Sequence, residues 1–379
     1  MNRFPRSLPV VAAIAVAFAI TGCALRRPTA IPAPEPPAPV ADRPDEEDEP
    51  AIQVAATPLP RLEPHHALSP VGEIDRKGCP ADLSSICRVS EGRYFAASDS
   101  GGKVCELAIA CDPATGRIVS FRAKEAFALE GGSDVEGLAY DPLNRLVWAA
   151  DESSNSVTSH DPADGRRTGR LILPGTLVGR FRSNRGLESL TIREDGLEMW
   201  TCNEDTLIGD GTPSSRKKGA MVRLTRFTRP DATSAWRSDG QWAYRTGKVR
   251  GGQFRGVAMS GVSALCALPD GTLLVLEREM SRTLLPTFRC TVTEIDREGA
   301  TDVTGRGALT DGDIVPVRKA RLFRQVTGFC NYEGMCLGEP LADGSRALLL
   351  VSDGDDSTPE RIFAFRLSPS IPPPDSQLN

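Results

Sequence analysis

Carboxylates return at fixed places in this sequence. Five stretches share one grammar: "DLSSICRVSEGRYFAASDS" from Asp82, "DVEGLAYDPLNRLVWAADE" from Asp134, "GLESLTIREDGLEMWTCNE" from Gly186, "GVSALCALPDGTLLVLERE" from Gly261 and "NYEGMCLGEPLADGSRALLLVSDGDD" from Asn331. Their third positions are Ser84, Glu136, Glu188, Ser263 and Glu333, and their far ends carry Asp99, Glu152, Glu204, Glu277 and Asp353. Acids gathered in one place repel unless something positive compensates them. One compensation is arginine: Arg180, Arg182 and Arg185 stand in "GRFRSNRGLES", and Arg278 follows Glu277. The other is a hard cation such as Ca²⁺, which takes about six to eight oxygen ligands in flexible geometry. Glu136, Glu152, Glu188, Glu204, Glu333 and Asp353 are the candidate ligands, with the amide oxygen of Asn203 or Asn331 in support. A structural role competes with both, in which each acid caps strand amides and ties neighbouring elements together.

The elements that must position these acids are strands. Each stretch is a short alternating run, a turn ("DPLN" at 141–144, "REDG" at 193–196, "LPDG" at 268–271, "LADG" at 341–344) and a second apolar run. Asp-Gly or Asn between two β-rich runs signals a hairpin. A hairpin goes out and returns, so its first and last residues lie at the same end. Glu136 is therefore expected beside Glu152, Glu188 beside Glu204, and Glu333 beside Asp353. The copies begin at 82, 134, 186, 261 and 331. A hairpin repeated every 50 residues or so is the mark of a propeller blade, which cannot bury its faces alone. Further runs such as "KVCELAIACD" and "GAMVRLTRFT" complete blades of about four strands. The expected fold is an all-β propeller of six blades, with five to seven compatible, the strands near "VGEIDR" and "RIFAFRL" forming the sixth. Equivalent acids would then ring one mouth of the central channel.

Cysteine and tryptophan fit a packing role. Cys87, Cys266 and Cys336 share the sixth position of the repeat, where Ala139 and Thr191 stand in the other copies. A position accepting Cys, Ala or Thr reads as small and buried. Trp148 and Trp200, at equivalent places of two strands, read as core. No Cys/His spacing suggests zinc. The histidines are His65, His66 and His160, and no GxSxG elbow is present, so a Ser-His-Asp triad is not expected.

The chain opens differently. Residues 1–22 read as a signal peptide: Arg3 and Arg6, then an apolar run too short for a membrane span. Ile20-Thr21-Gly22-Cys23 resembles the lipobox of bacterial lipoproteins, which implies lipidation at Cys23. Ala24 in place of Asp implies the outer membrane, facing the periplasm. Residues 23–64 are rich in proline and acid and read as an extended tether, and 65–379 as the folded domain. The formal charge is −5, and the tether alone holds four Arg against eight acids. The folded part is thus near neutral, which excludes a nucleic-acid footprint. A monomer acting on a small ester, touching the membrane only through its lipid, is expected.

The same motifs, "DVEGLAYDP…LVWAADE", "NRGLESLTIREDG…NEDTLIGDG", "SALCALPDGTLLVLERE" and "NYEGM…DGSRALLLVSDGDD", resemble the bacterial phytase-like domain named for the esterase-like activity of phytase, over roughly 70–368. The resemblance implies an exported β-propeller hydrolase of a phosphate or other ester, with Ca²⁺ as the implied cofactor. Carried over by position, Glu136, Glu188, Glu204 and Glu333 form the acidic cluster. Glu188 and Glu333 become the catalytic carboxylates, and Arg185 and Arg278 the contacts to the substrate's anionic oxygens. Ser84 and Ser263 depart from the pattern, so two of the five copies bring no acid at that position. A non-catalytic propeller that binds a ligand at the same mouth, and a Ca²⁺-dependent lactonase of similar architecture, are the competing readings.

Overall fold

A computed structural model of the chain describes residues 59–76, 82–252, 258–282, 286–309, 312, 314–354 and 360–369. The expected signal peptide, Cys23 and residues 24–58 of the expected tether lie outside these. Leu62 is buried, so folded structure begins within the last residues assigned to the tether.

Every regular element among the described residues is a strand. The first, β1 (His66–Asp75), is used last. Blade one is β2 (Leu83–Ser90), β3 (Arg93–Ser98), β4 (Lys103–Cys111) and β5 (Ile118–Ala128). Blade two is β6 (Val135–Asp141), β7 (Leu146–Asp151), β8 (Ser156–His160) and β9 (Arg167–Arg170). Blade three is β10 (Leu187–Ile192), β11 (Glu198–Asn203), β12 (Met221–Thr228) and β13 (Arg237–Arg245). Blade four is β14 (Met259–Ala267), β15 (Leu273–Arg282), β16 (Pro286–Asp296) and β17 (Arg318–Gly328). Blade five is β18 (Asn331–Pro340), β19 (Arg346–Asp353) and β20 (Arg361–Pro369), completed by β1. The inner strands β2, β6, β10, β14 and β18 touch in that order, and β18 touches β2. The propeller therefore closes at five blades, the low end of the expected range.

The strands expected to form a sixth blade close the fifth. β1 pairs antiparallel with β20, from His66↔Pro369 to Asp75↔Arg361. A free two-stranded pair could not bury its own faces, whereas β18 and β19 lacked outer partners. Joining the first and last described strands in one sheet also fastens the ring of blades closed. The seams between blades hold the core. Leu83, Ile86 and Leu107 pack on Leu349 and Ile362 across blades one and five. Trp200 and Tyr244 pack on Val262 and Val275 across blades three and four. Cys87, Cys266 and Cys336 belong to such clusters.

Two features of the inner strands set up the site. In all five blades the register slips at the third position of the repeat: between Leu83 and Ser85, Val135 and Gly137, Leu187 and Ser189, Val262 and Ala264, and Tyr332 and Gly334. The skipped residues, Ser84, Glu136, Glu188, Ser263 and Glu333, are β-bulges, which re-aim a side chain out of the ladder. The next position is always small: Ser85, Gly137, Ser189, Ala264 and Gly334. A Cβ on Gly137 would lie 2.8 Å from the Leu190 backbone nitrogen, and one on Gly334 2.9 Å from the Ser85 Cα. The inner strands approach that closely around the axis.

Candidate functional site

The bulges deliver the acids. Glu188 and Glu333 are 5% and 6% exposed, and Glu136 is half-buried. The far ends of the hairpins bring Glu152 and Glu204, 8% and 1% exposed, to the same end of the barrel. Carboxylate oxygens of Asp134, Glu136 and Glu152 lie within 4.8 Å of one another, as do those of Glu152, Glu188 and Glu204. Glu333 and Asp353 share the Asn331 side-chain amide, which donates to them at 2.7 and 3.1 Å. Each expected hairpin pair is thus side by side. Asp134, absent from the sequence-derived set, opens the second repeat and is legible there as the first residue of "DVEGL".

Blade four departs from the others. Its register pairs Glu277 with Val262 and Arg278 with Gly261. In blades two and three the residues facing Val135 and Leu187 are Asp151 and Asn203. Arg278, not Glu277, therefore occupies the place that Glu152 and Glu204 hold. Glu277 turns to the other side and accepts from the Tyr244 hydroxyl, from Lys319 at 2.6 Å and from the Gly247 amide at 2.8 Å. Counting back from the acid hid this, because "LERE" offers the acid one residue early.

Arg278 is the cation at the axis. Its Nη2 lies 2.5 Å from Glu204 Oε1 and 3.7 Å from Glu188 Oε1, and its Nη1 lies 2.6 Å from Glu333 Oε1. These neighbours, with Glu136, hold its own pKa well above the ordinary value despite burial. The other arginines point elsewhere. Arg185 pairs with Asp205 at 2.9 Å, Arg180 with Asp210 at 2.6 Å, and Arg182 donates to the Thr206 carbonyl at 2.8 Å. They brace the chain after Glu204.

One guanidinium does not neutralise the cluster. Burial pushes the Glu152 carboxyl up to about 7, against the hydrogen bond from the Gly186 amide. Burial and Asp353 push Glu333 up to about 7, against Arg278 and Asn331. Burial also raises Asp99, to about 6, as well as Asp134 and Asp353. Glu188 and Glu136 are raised well above the usual carboxylate range by burial, and further by Glu204 and Glu333 respectively. Asp99 Oδ1, Asn155 Oδ1 and Asn331 Oδ1 are buried acceptors without a hydrogen-bond partner. Oxygen-rich, negative and short of donors, the site fits a hard cation.

Beyond the acids the channel narrows. A space of about 10 Å³ lies between Glu136, Glu188, Ser263 and Glu333, room for roughly one water. The far end opens into a cavity of about 320 Å³ walled by Ile86, Leu138, Leu190, Met335 and Leu337. Its one acid, Glu194, is held by Arg88 and Arg346. The histidines are occupied elsewhere. His160 is buried between Thr158 Oγ1 and the Gly165 carbonyl, while His65 and His66 both bind Glu294. None has a serine partner for a triad.

The profile of the phytase-like family, described as esterase-like activity of phytase, matches residues 81–356. No curated protein matches the sequence. Among solved structures the chain is similar to hydrazine synthase of Kuenenia stuttgartiensis (14% identity, TM-score 0.31), over 74% of this chain and 60% of that one. It is also similar to the PQQ-bound aldose sugar dehydrogenase of Streptomyces coelicolor (13%, TM-score 0.39), over 81% and 100% of the two chains. A third likeness is to the periplasmic gluconolactonase of Pseudomonas aeruginosa (12%, TM-score 0.35), over 78% and 91%.

Proposed function

The chain belongs to the phytase-like family, and from that premise we propose that it hydrolyses a phosphate or carboxyl ester at the acidic mouth of its channel, with Ca²⁺ as resident cofactor. The observation that carries this reading is the excess of buried carboxylates over the single guanidinium of Arg278, beside acceptor oxygens with nothing to accept. Asp134, Glu136 and Glu152 on one side, and Glu152, Glu188 and Glu204 on the other, would hold the cation. Bound there, a divalent cation supplies Lewis-acid polarisation of the ester oxygen.

The protein's own groups do the rest. Glu333, titrating near neutrality and fixed by Asn331 and Arg278, accepts the proton of the attacking water. Arg278 stays charged and faces the negative charge that develops on the substrate oxygen. Glu333, protonated in that step, returns the proton to the leaving oxygen, while Glu188 serves through its carboxylate in the cation-holding trio. The products are an acid and an alcohol, with one water consumed. Lipid anchoring at Cys23 would put this chemistry at the inner face of the outer membrane.

Purified protein is stripped with EDTA and then titrated with Ca²⁺, following phosphate from phytate and nitrophenol from p-nitrophenyl esters. Turnover lost with chelation and restored by Ca²⁺ is expected; turnover indifferent to both removes the metal from the reading. A second reading has its own support. Arg278 already sits where a cation would be most favoured, so the mouth can serve as a ligand-binding site without turnover. Binding without hydrolysis across the ester series would favour it.

A further inference from the structure

A cleft of about 400 Å³ opens beside the acid cluster, within the size range of small-molecule sites. Its walls come from the chain between β9 and β10, with Arg170 at the end of β9 and Ser154 and Asn155 of the β7–β8 turn. Leu171, Leu173 and Phe181 extend the core of blades two and three outward. Ile172 and Val178 stand at the lip, 85% and 61% exposed, and Ile172 is the most exposed large hydrophobic among the described residues. Two apolar side chains left in water at the edge of an apolar cleft mark a surface meant to be covered.

The inner end of the cleft is the outer end of the acid site. Asn155 lines it and belongs to the turn that follows Glu152, whose carbonyl accepts from the Asn155 amide at 3.2 Å. Gly186 sits between the two. Its amide donates to Glu152 Oε1 at 2.5 Å, and a Cβ there would lie 2.2 Å from Asn155 Oδ1 and 3.0 Å from Glu152 Cγ. The absence of a side chain at Gly186 brings Asn155 and Glu152 together on one wall. Asn155 Oδ1 is buried without a donor and is free to accept from one. Arg170 is the cation at this cleft; Arg180 and Arg185 nearby are bound to Asp210 and Asp205. A polyphosphorylated ring finds little to neutralise it here.

We infer that this cleft is a specificity pocket for the apolar acyl or alkyl portion of the substrate, which makes the preferred substrate an ester or lactone with a hydrophobic arm. The inference rests on the hydrolase reading for its catalytic consequence, though not for binding itself. Laid in the cleft against Leu171 and Phe181, such an arm covers Ile172 and Val178 and leaves its carbonyl end beside Glu152.

The test compares wild type with Ile172→Asp/Val178→Asp on p-nitrophenyl acetate, butyrate and octanoate, with Ca²⁺ present. Wild-type kcat/KM is expected to rise with chain length. In the variant the octanoate-to-acetate ratio falls at least about tenfold, mainly through KM. Both residues are exposed, so an unchanged melting temperature shows that the fold is intact. A preference independent of chain length, or one the variant keeps, overturns the inference. If no ester is turned over, the hydrolase reading fails alone, and octanoate binding by calorimetry decides the cleft: binding by wild type and none by the variant supports it, and equal or absent binding overturns it. Co-sedimentation with phosphatidylglycerol vesicles that the variant loses, without octanoate binding, would assign the patch to a lipid surface and overturn it too.

Discussion

Arg278 of blade four and Glu204 of blade three meet across the seam, Nη2 to Oε1, at 2.5 Å. They can do so because Gly261, opposite Arg278 in its own ladder, has no side chain: a Cβ there would lie 2.6 Å from Glu204 Cγ. The arginine takes the place that an acid holds in the neighbouring blades. Removing one member of a buried pair costs about 3–5 kcal/mol. Arg278→Met should therefore melt well below wild type without metal, and Ca²⁺ should restore more of the loss than the same addition gives wild type. Melting curves with EDTA and with Ca²⁺ check this. Equal stability of the two proteins in EDTA would mean that Arg278 balances nothing.

Cation binding should stabilise the native state alone. At a free Ca²⁺ concentration of about a hundred times its Kd the gain is roughly 2.7 kcal/mol. Glu188→Gln and Glu204→Gln each remove a carboxylate from one trio, and should weaken Ca²⁺ binding in calorimetry and shrink the shift in melting temperature. Glu277→Gln, on the other face of β15, should leave both unchanged. If all three variants bind alike, the trio is not the site.

The hairpins, their turns and the pairing of acids at one end could be read from the sequence because each is local. "DG" between apolar runs places Gly196, Gly271 and Gly344 at positive φ, and a returning strand must bring Glu188 back to Glu204. The blade count was less legible, since "VGEIDR" and "RIFAFRL" lie at opposite ends of the chain and nothing local says that β1 joins β20. The substitution of Arg278 for an acid was hidden for a related reason. Two adjacent charged residues on one strand face opposite ways, and only the pairing of β15 with β14 says which one reaches the axis. The bulges were invisible as bulges, although the residues they expel were the first to stand out.

Glu333 combines a near-neutral pKa with fixed orientation from Asn331 and Arg278. Loss of a general base lowers turnover by roughly 10²–10⁴. Glu333→Gln keeps the shape and should lower kcat by that order with little change in KM. A loss confined to KM would make Glu333 a binding group only.

Around the axis the packing tolerates no extra atoms. Gly137→Val should force β6 away from β10, since even a Cβ would stand 2.8 Å from the Leu190 nitrogen. Overpacking of this kind costs about 1–3 kcal/mol. Denaturant midpoints should fall accordingly, and Ca²⁺ affinity should fall with them because Glu136 rides on the same bulge. Valine accepted without loss would show that the inner strands can part.

A clasp far from the channel gives the ring closure a pH dependence. His65 and His66, at the start of β1, both donate backbone amides to Glu294 of blade four, at 2.9 and 3.0 Å, and both rings reach it. Asp270 also faces His66, at 3.3 Å. The hydrogen bond to Glu294, with the charges of Glu294 and Asp270, raises the His66 pKa against burial. Burial would lift Glu294, yet its bonds to His66 and His65 hold it below the usual range. A raised histidine contributes stability that is complete below its unfolded value of about 6.5 and is lost as pH rises through the folded one. A depressed glutamate contributes above about 4.5 and loses it as pH falls. The contribution of the pair should therefore be greatest near pH 5–6 and shrink toward pH 8–9. The difference in melting temperature between wild type and His66→Asn, measured across that range, should follow this course. A difference that stays flat, or grows with pH, would mean that the clasp does not depend on a protonated His66.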